Sequence, residues 1–537
     1  MLLEELIKGQ QEPPVPGVRG CVARSREIDW RLVRVCDITE DSRTVMPGSL
    51  FVARRGEKAD GRQFAAAAAR AGASAILCER ASELTLPEGH ECDRVVVIEC
   101  EDVAGASAAI AERFYASASR RLRVAGVTGT NGKTTTTWLA WRLLNQAGVR
   151  CGLIGTVVID DGVEVASAEM TTPPATEVSR LLARMLESGC RACVMEVSSH
   201  SLDQRRVAGL RFDCAAFTNL TRDHLDYHGT MENYAAAKAR LFEMLDERAL
   251  AVVNTDGAWA QRMVERCRAS VVACGAERPA ACRVVRGETD RRGMRLEMSG
   301  PWGALDVRVP LVGAFNAMNV LQAVVIAHRF GLDLEQLARG CATLDAPPGR
   351  LERVATLDHE PQVIVDYAHT DDGLANALST VRELVEPGGR LIVVFGCGGD
   401  RDRGKRPKMG EVAATQADVV VVTSDNPRSE RPGAIIDEIL GGIDGSQRSR
   451  VTVQADRARA IDWAIEHAGA NDLVLIAGKG HETEQISSDG KGGLIREHFD
   501  DREQALIALR RLRGENSAVV TPPRKPGRRS GRGAGLG

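Results

Sequence analysis

The stretch Ala125-Gly126-Val127-Thr128-Gly129-Thr130-Asn131-Gly132-Lys133-Thr134 constrains this chain more than any other. Arg123 to Val127 reads as a short buried strand, and apolar residues recur at helical spacing from Thr134 to Leu144. Gly129 to Thr134 is therefore a strand-to-helix turn, which is where a phosphate belongs. Unpaired N–H groups and the positive end of the helix dipole gather there, and glycines let the backbone come close. Lys133 has the reach of β- and γ-phosphates, and the Thr134 hydroxyl suits Mg²⁺. The strict pattern opens on a glycine where this chain has Val127, so the turn alone is a near-match.

At 537 residues the chain exceeds one ordinary core, which predicts several domains. The net charge of −3 conceals five basic residues and no acid within 521–537, leaving −8 on the remainder. The folded body is mildly acidic, so nucleic acid is not an expected partner. Fourteen cysteines scattered through strand and helix patterns indicate reduced thiols. Cys190-Arg191-Ala192-Cys193 has redox spacing, but it runs from a helix end into a buried strand, which favours plain core cysteines. Met1 to Leu6 reads as a short acidic helix without the basic start and long apolar core of a signal peptide. No apolar run approaches the roughly 18 residues of a membrane span, because Arg70 interrupts even the alanine-rich 64–78 stretch. A cytoplasmic monomer without membrane insertion is the expectation.

Residues 1–120 read as a small α/β domain in which Asp41, Ser42 and Arg43 form either an anion site or a solvated turn. Residues 121–346 form the nucleotide domain. There Ala192 to Val197 is a strand interrupted by Glu196, and Cys214 to Phe217 is another, ending in Thr218-Asn219-Leu220-Thr221-Arg222-Asp223-His224. Polar residues at the carboxyl ends of successive parallel strands are where open α/β sheets bind ligands, which places Glu196 and His224 opposite Lys133. A charge in an apolar strand is costly unless paired or metal-bound, whereas a loop histidine is as readily solvated. Alternating residues across 270–310, around Arg291-Arg292-Gly293, predict an added antiparallel ribbon. Residues 347–514 alternate strands (362–366, 390–395, 418–423, 472–477) with helical patterns, a doubly wound α/β domain. Three of its strand ends carry glycines with both charge signs, at 397–407, 425–428 and 478–482, which suits a zwitterionic or phosphorylated ligand. The basic stretch 515–537 reads as a disordered tail.

The turn at 128–134, Glu196-Val197-Ser198-Ser199-His200, the 218–229 segment, Tyr234 to Lys238, Gly313 to Asn319, Pro348 to Glu352 and Asp366 to Thr370 together resemble the Mur ligases. Within them the chain is similar to the branch that adds the third peptide residue, and the resemblance covers about 25–514. It implies an α/β, three-domain architecture with a central P-loop ATPase and a C-terminal Rossmann-like domain. ATP would phosphorylate the D-glutamate carboxylate of UDP-N-acetylmuramoyl-L-alanyl-D-glutamate, and an amino acid's amine would displace phosphate. The resemblance places the nucleotide on Gly129, Thr130, Asn131, Gly132, Lys133, Thr134, Thr135, Asn316 and Asp366. It implies catalytic roles for Lys133, Glu196, His224 and Lys238, with metal on Thr134, Glu196, His224 and a carbamylated Lys238. The sugar-peptide falls to Ser42, Arg43, Thr171, Thr172, Ser198, Gln204 and Arg206. Asp425-Asn426-Pro427-Arg428, with Arg401, Gly478 and Glu482, matches members that use meso-diaminopimelate. Arg401 and Arg428 would hold its distal carboxylate and Glu482 its ammonium, so lysine would leave arginine charge unpaired. Asp371-Asp372 stands where the family commonly has Pro. The rival expectations are lysine as substrate, a folylpolyglutamate-type ligase, and a nucleotide-dependent scaffold.

Overall fold

A computed structural model describes residues 1–9, 13–25, 28–56, 59–89, 92–290, 293–354 and 356–515. Arg291, Arg292 and all of the tail expected at 515–537 except Glu515 lie outside the described residues. Contacts divide the chain into two compact units. One comprises Met1–Arg283, Gly300–Trp302 and Val320–Leu337, and the other the remainder.

The first unit holds two sheets. Strands β1 (Val18–Ala23), β2 (Asp37–Thr39), β3 (Ser49–Val52), β4 (Ala75–Cys78) and β5 (Val96–Cys100) lie in the order β1-β5-β4-β3-β2. Only β1 runs antiparallel, against β5. β3 and β4 are buried at every position, because helices and turns cover both faces. The alanine-rich stretch gives the short helix Ala65–Arg70.

The second sheet carries β6 (Arg123–Thr128), β7 (Cys151–Ile154), β8 (Val158–Asp160), β9 (Val165–Ser167), β10 (Ala192–Glu196), β11 (Cys214–Phe217), β12 (Leu250–Asn254) and β13 (Ser270–Gly275). Their order is β13-β12-β11-β6-β10-β7-β8-β9. β6 lies parallel to both β10 and β11, so the loops leaving all three emerge along one edge. Near-continuous apolar runs such as Ala-Cys-Val-Met are what a strand buried on both faces requires. Gly126 is needed within β6, since a Cβ there would meet the Phe212 ring at 2.9 Å.

In the second unit lie most of β14 (Cys282–Asp290) and most of β15 (Gly293–Gly300) and β16 (Gly303–Val309), neighbours in that order where alternation predicts a ribbon. Its main sheet holds β17 (Glu352–Val354), β18 (Gln362–Asp366), β19 (Leu391–Phe395), β20 (Val419–Val422), β21 (Val451–Val453) and β22 (Leu473–Ala477). The order is β17-β18-β22-β19-β20-β21, parallel except for β17. Apolar clusters fill both faces, as a doubly wound fold demands. A hairpin of β23 (Glu484–Ser488) and β24 (Leu494–His498) follows. Arg457 and Asp501, both fully buried, form a two-point ion pair at 2.7 Å that ties helix Arg457–Glu466 to helix Asp501–Leu512.

All fourteen cysteines are free. Cys190 and Cys193 are buried, and burial pushes both thiols above their ordinary range, which makes them inert. No helix among the described residues is long and apolar enough to cross a membrane.

Candidate active site

β6 delivers the chain to Gly129, whose φ of +152° and lack of a side chain are both required. A Cβ there would lie 1.9 Å from Thr218 Oγ1 and 3.0 Å from the Asn219 carbonyl oxygen. Gly132, at φ +83°, makes the second bend and opens helix Lys133–Gln146. The turn is braced from the loop after β11. Thr130 N donates to Asn219 O at 2.9 Å, Asn131 N to Asn219 Oδ1 at 3.0 Å, and Thr218 Oγ1 to Asn131 O at 2.6 Å. This bracing preorganises the backbone donors for an anion.

Lys133 Nζ donates to the carbonyls of Gly129 (2.9 Å) and Thr130 (2.8 Å), so its ammonium closes over the turn. Thr134 Oγ1 donates to Glu196 Oε2 at 2.9 Å, which joins two of the expected metal ligands. Thr135 follows on the same helical turn. Glu196 is fully buried at the end of β10, yet its carboxylate also accepts from Thr156 N (2.7 Å) and Thr156 Oγ1 (3.0 Å). Thr156 was missed in the sequence, because only the pairing of β7 with β10 brings it to Glu196.

Lys238, on helix Met231–Glu243, is 1% exposed and donates to Gly129 O at 2.7 Å. Its Nζ lies 4.5 Å from the centre of the Tyr234 ring, and the Tyr234 hydroxyl shares a 3.2 Å hydrogen bond with Thr130 Oγ1. Burial pushes the Lys238 amine well below the usual lysine range; Lys133 adds to this and Asp223 opposes it. His224 takes a left-handed backbone at φ 52°, and its side chain is 46% exposed. It stacks edge-on to His200 at 4.9 Å, in a group with Tyr227 and His228. No cluster of three or more His, Cys, Asp or Glu side chains is arranged for a metal among the described residues. The adjoining hydroxyl and carboxylate oxygens of Thr134 and Glu196 are the hard donors that fit Mg²⁺.

A hydrogen-bonded path leads from Glu196 to the residues expected to hold the sugar-peptide. Thr172 Oγ1 donates to Glu196 O at 2.9 Å and accepts from Ser198 N at 3.2 Å, while Thr156 Oγ1 and Thr171 Oγ1 lie in hydrogen-bond contact at 3.1 Å. Arg206 donates to Thr172 O and to Gln204 Oε1, both at 2.7 Å. Ser198 caps the short helix Ser199–Asp203. Arg43 stands apart, 87% exposed and clamped on Asp41 at 2.6 Å, and neighbouring Ser42 is half-buried. Glu40, just after β2 and paired with Arg54 at 2.9 Å, has its carboxyl raised by burial, against which Arg54 and then Arg206 act.

In the second unit, loops at the carboxyl ends of β18, β19, β20 and β22 converge. Asn426 Nδ2 donates to Glu482 Oε2 at 2.7 Å, and Asn426 Oδ1 accepts from the fully buried Lys479 at 3.1 Å. Lys479 lies 3.6 Å from Glu482 and was missed, although a lysine between two glycines after a buried strand marked it. Arg428, at φ 50°, donates to Gly399 O at 2.8 Å, and Pro427 O accepts from Glu430 N at 3.0 Å. Gly478, at φ +116°, would press a Cβ to 2.6 Å from the carboxylate of Asp425. Arg401 is exposed. Asp366 accepts from Leu351 N and Ala368 N, both at 2.8 Å; burial raises its carboxyl and Arg350 lowers it. Asn316 Nδ2 donates to Val312 O at 2.7 Å, and Asn319 holds its amide oxygen at 2.8 Å.

A braced phosphate turn with an acid and a buried lysine, and a separate loop cluster of both charge signs, are the parts of a nucleotide-dependent ligase. Residues 127–327 match the Mur ligase middle domain, residues 349–480 the Mur ligase glutamate ligase domain, and residues 35–115 the Mur ligase family catalytic domain. A relative from Chlorobaculum tepidum, a UDP-N-acetylmuramoyl-L-alanyl-D-glutamate–2,6-diaminopimelate ligase, is 42% identical over 93% of this chain and 97% of its own. The protein of that name from Gloeobacter violaceus is 46% identical over 90% of this chain and 96% of its own. A solved structure of such a ligase superposes with a TM-score of 0.66 at 33% identity, covering 91% of this chain and 97% of that one. Mycobacterium tuberculosis folylpolyglutamate synthase shares the fold, with a TM-score of 0.54 at 20% identity over 69% of this chain and 91% of that one. This chain belongs to the Mur ligase family.

Proposed function

We propose that this chain is the ATP-dependent ligase that joins meso-diaminopimelate to UDP-N-acetylmuramoyl-L-alanyl-D-glutamate, in the cytoplasmic synthesis of peptidoglycan precursors. A carboxylate is a poor acyl donor. An oxygen of the D-glutamate side-chain carboxylate attacks the γ-phosphorus, ADP departs, and the acyl phosphate then loses phosphate to the attacking amine, which gives up a proton. Lys133 neutralises charge on the transferring phosphoryl group, and the backbone N–H groups of 130–134 hold the nucleotide. Thr134 and Glu196 would hold Mg²⁺, which supplies charge neutralisation at the phosphates when bound. Lys238 and His224 would serve a second ion. A plain ammonium at Lys238 would repel a cation, whereas the neutral amine that burial favours is the form able to add carbon dioxide and become an oxygen donor.

The observation that carries the choice of amino acid is the loop cluster of the second unit, where Asn426, two residues before Arg428, fixes Glu482. An acid and an arginine fixed to one framework suit an ammonium and a carboxylate on one carbon; lysine offers only the ammonium. The names of the relatives at 42–46% identity support the same choice. In this reading residues 1–120 bind the UDP moiety, 121–346 carry the ATPase, 347–514 bind the amino acid, and the enzyme works as a monomer.

The acyl phosphate is tested with substrate whose D-glutamate side-chain carboxylate carries heavy oxygen. One labelled oxygen passes into the released phosphate. Phosphate without label would overturn the intermediate.

A further inference from the structure

Arg406 is fully buried at the start of helix Lys405–Gln416, and none of the roles above uses it. Its guanidinium grips both carboxylate oxygens of Glu430, with Nη1 to Oε2 at 2.9 Å and Nη2 to Oε1 at 2.8 Å. Nη1 also reaches Glu438 at 2.9 Å, and Nη2 reaches Gly398 O at 3.2 Å. One cation thus spans the loop after β19, which bears Arg401, and the loop after β20, which bears Arg428.

The two loops are stitched around that grip. Glu430 Oε1 accepts from Asp400 N at 2.7 Å; Asp400 in turn accepts from Ser429 N at 3.1 Å and Ser429 Oγ at 2.5 Å. Gly399 donates to Asn426 O at 2.9 Å and accepts from Arg428 at 2.8 Å. Asp400 immediately precedes Arg401, and Ser429 immediately follows Arg428. Asp400 and Arg428 both hold left-handed backbones, at φ 53° and 50°, where a side chain is disfavoured unless neighbours impose it. A Cβ on Gly399 would sit 1.9 Å from Pro427 O, so the loops touch through backbone.

We propose that Glu430, clamped by Arg406, is a positioning residue that sets the separation of Arg401 and Arg428 and so selects an amino acid with a distal carboxylate. Glu430 touches no substrate; it acts through the two arginines. The inference rests on the reading that those arginines receive that carboxylate.

The test compares Glu430→Gln, Ser429→Ala and Glu438→Gln with the unaltered chain, and Arg428→Asn as a reference, each assayed for KM of every substrate, for kcat and for Tm. Glu438→Gln disturbs the same buried arginine, and Arg403 with it, but removes none of the hydrogen bonds that join 398–400 to 426–430. Loss of one charge-assisted hydrogen bond predicts a KM for diaminopimelate about tenfold higher in Glu430→Gln. The KM for ATP stays unchanged and kcat moves less than about twofold, because the phosphate turn is untouched. Ser429→Ala gives the same split in smaller degree, and carries the test alone should Glu430→Gln not fold. Glu438→Gln lowers Tm without the KM shift. An unchanged KM for diaminopimelate in folded Glu430→Gln, or in Ser429→Ala if it stands alone, overturns the inference. So does an equal shift in Glu438→Gln. If Arg428→Asn also leaves diaminopimelate use intact, the amino-acid reading itself fails.

Discussion

Lys238 concentrates the chemistry of the first unit in one nitrogen. It is buried against Gly129 O and the Tyr234 ring, and burial disfavours its charge. Protein prepared with carbon-13 bicarbonate should therefore show a carbamate resonance that Lys238→Arg lacks, and Lys238→Ala should lose at least about 100-fold in kcat, the scale of one electrostatic group. Full activity in Lys238→Ala would refute the role. His481 shows burial acting on a base in the second unit. It is pushed down to about 4 by burial, then by Arg350 and Arg502, and its buried Nδ1 has no hydrogen-bond partner. The folded imidazole stays neutral while the unfolded one takes a proton below its ordinary value of about 6.5. As pH falls from there toward 4, the unfolded state binds the extra proton and stability is lost, by about 1.4 kcal/mol per pH unit from this group. Urea denaturation of His481→Gln beside the unaltered chain should show a shallower fall over that window, and parallel curves would contradict it.

The turn between β6 and its helix was the most legible element, because strand, glycines and helix are adjacent in sequence and each is set by local physics. Gly129→Ala drives a Cβ into Thr218 and the Asn219 backbone, so it should cost about 2–4 kcal/mol of stability and weaken nucleotide binding. Thermal melts with and without ADP check both, and an unshifted Tm would mean the loop after β11 yields freely. Glu196 was legible for a related reason, since a charge ending an apolar strand must find partners. Those partners were not legible: Thr156 comes from a different strand end, and only the sheet order β6-β10-β7 brings it to the carboxylate. Arg406 and Lys479 fall in loops that the sequence marked for a charged ligand, but their burial was not legible, because it depends on partners dozens of positions away. Arg43, expected at the sugar-peptide, has a local grip on Asp41 within its own turn that its sequence neighbours already allow. The hairpin of β23 and β24 was not anticipated; its strands are largely exposed and carry little alternation.

At the scale of the molecule, the alternation of strands and helices over 362–477 and the strands ending at 196 and 217 were enough to foresee two α/β sheets with parallel strands. Composition gave no hint that contacts join the first two sheets into one unit. That grouping comes from side-by-side packing of helices Val103–Phe114 and Ala175–Glu187 and from Gly209, where a Cβ would lie 2.5 Å from Ala108 O. The phosphate turn and the charged loops nevertheless make one claim together: nucleotide cleavage is tied to a sugar dipeptide and to an amino acid with two charged ends. The direct measurement is phosphate release from ATP with Mg²⁺ and UDP-N-acetylmuramoyl-L-alanyl-D-glutamate, with meso-diaminopimelate and L-lysine in parallel. Release that requires the sugar dipeptide and proceeds with diaminopimelate at least about 100-fold faster than with lysine, at equal subsaturating concentration, is the result the arginine and Glu482 framework predicts. Equal rates with lysine, or release indifferent to the dipeptide, would contradict it.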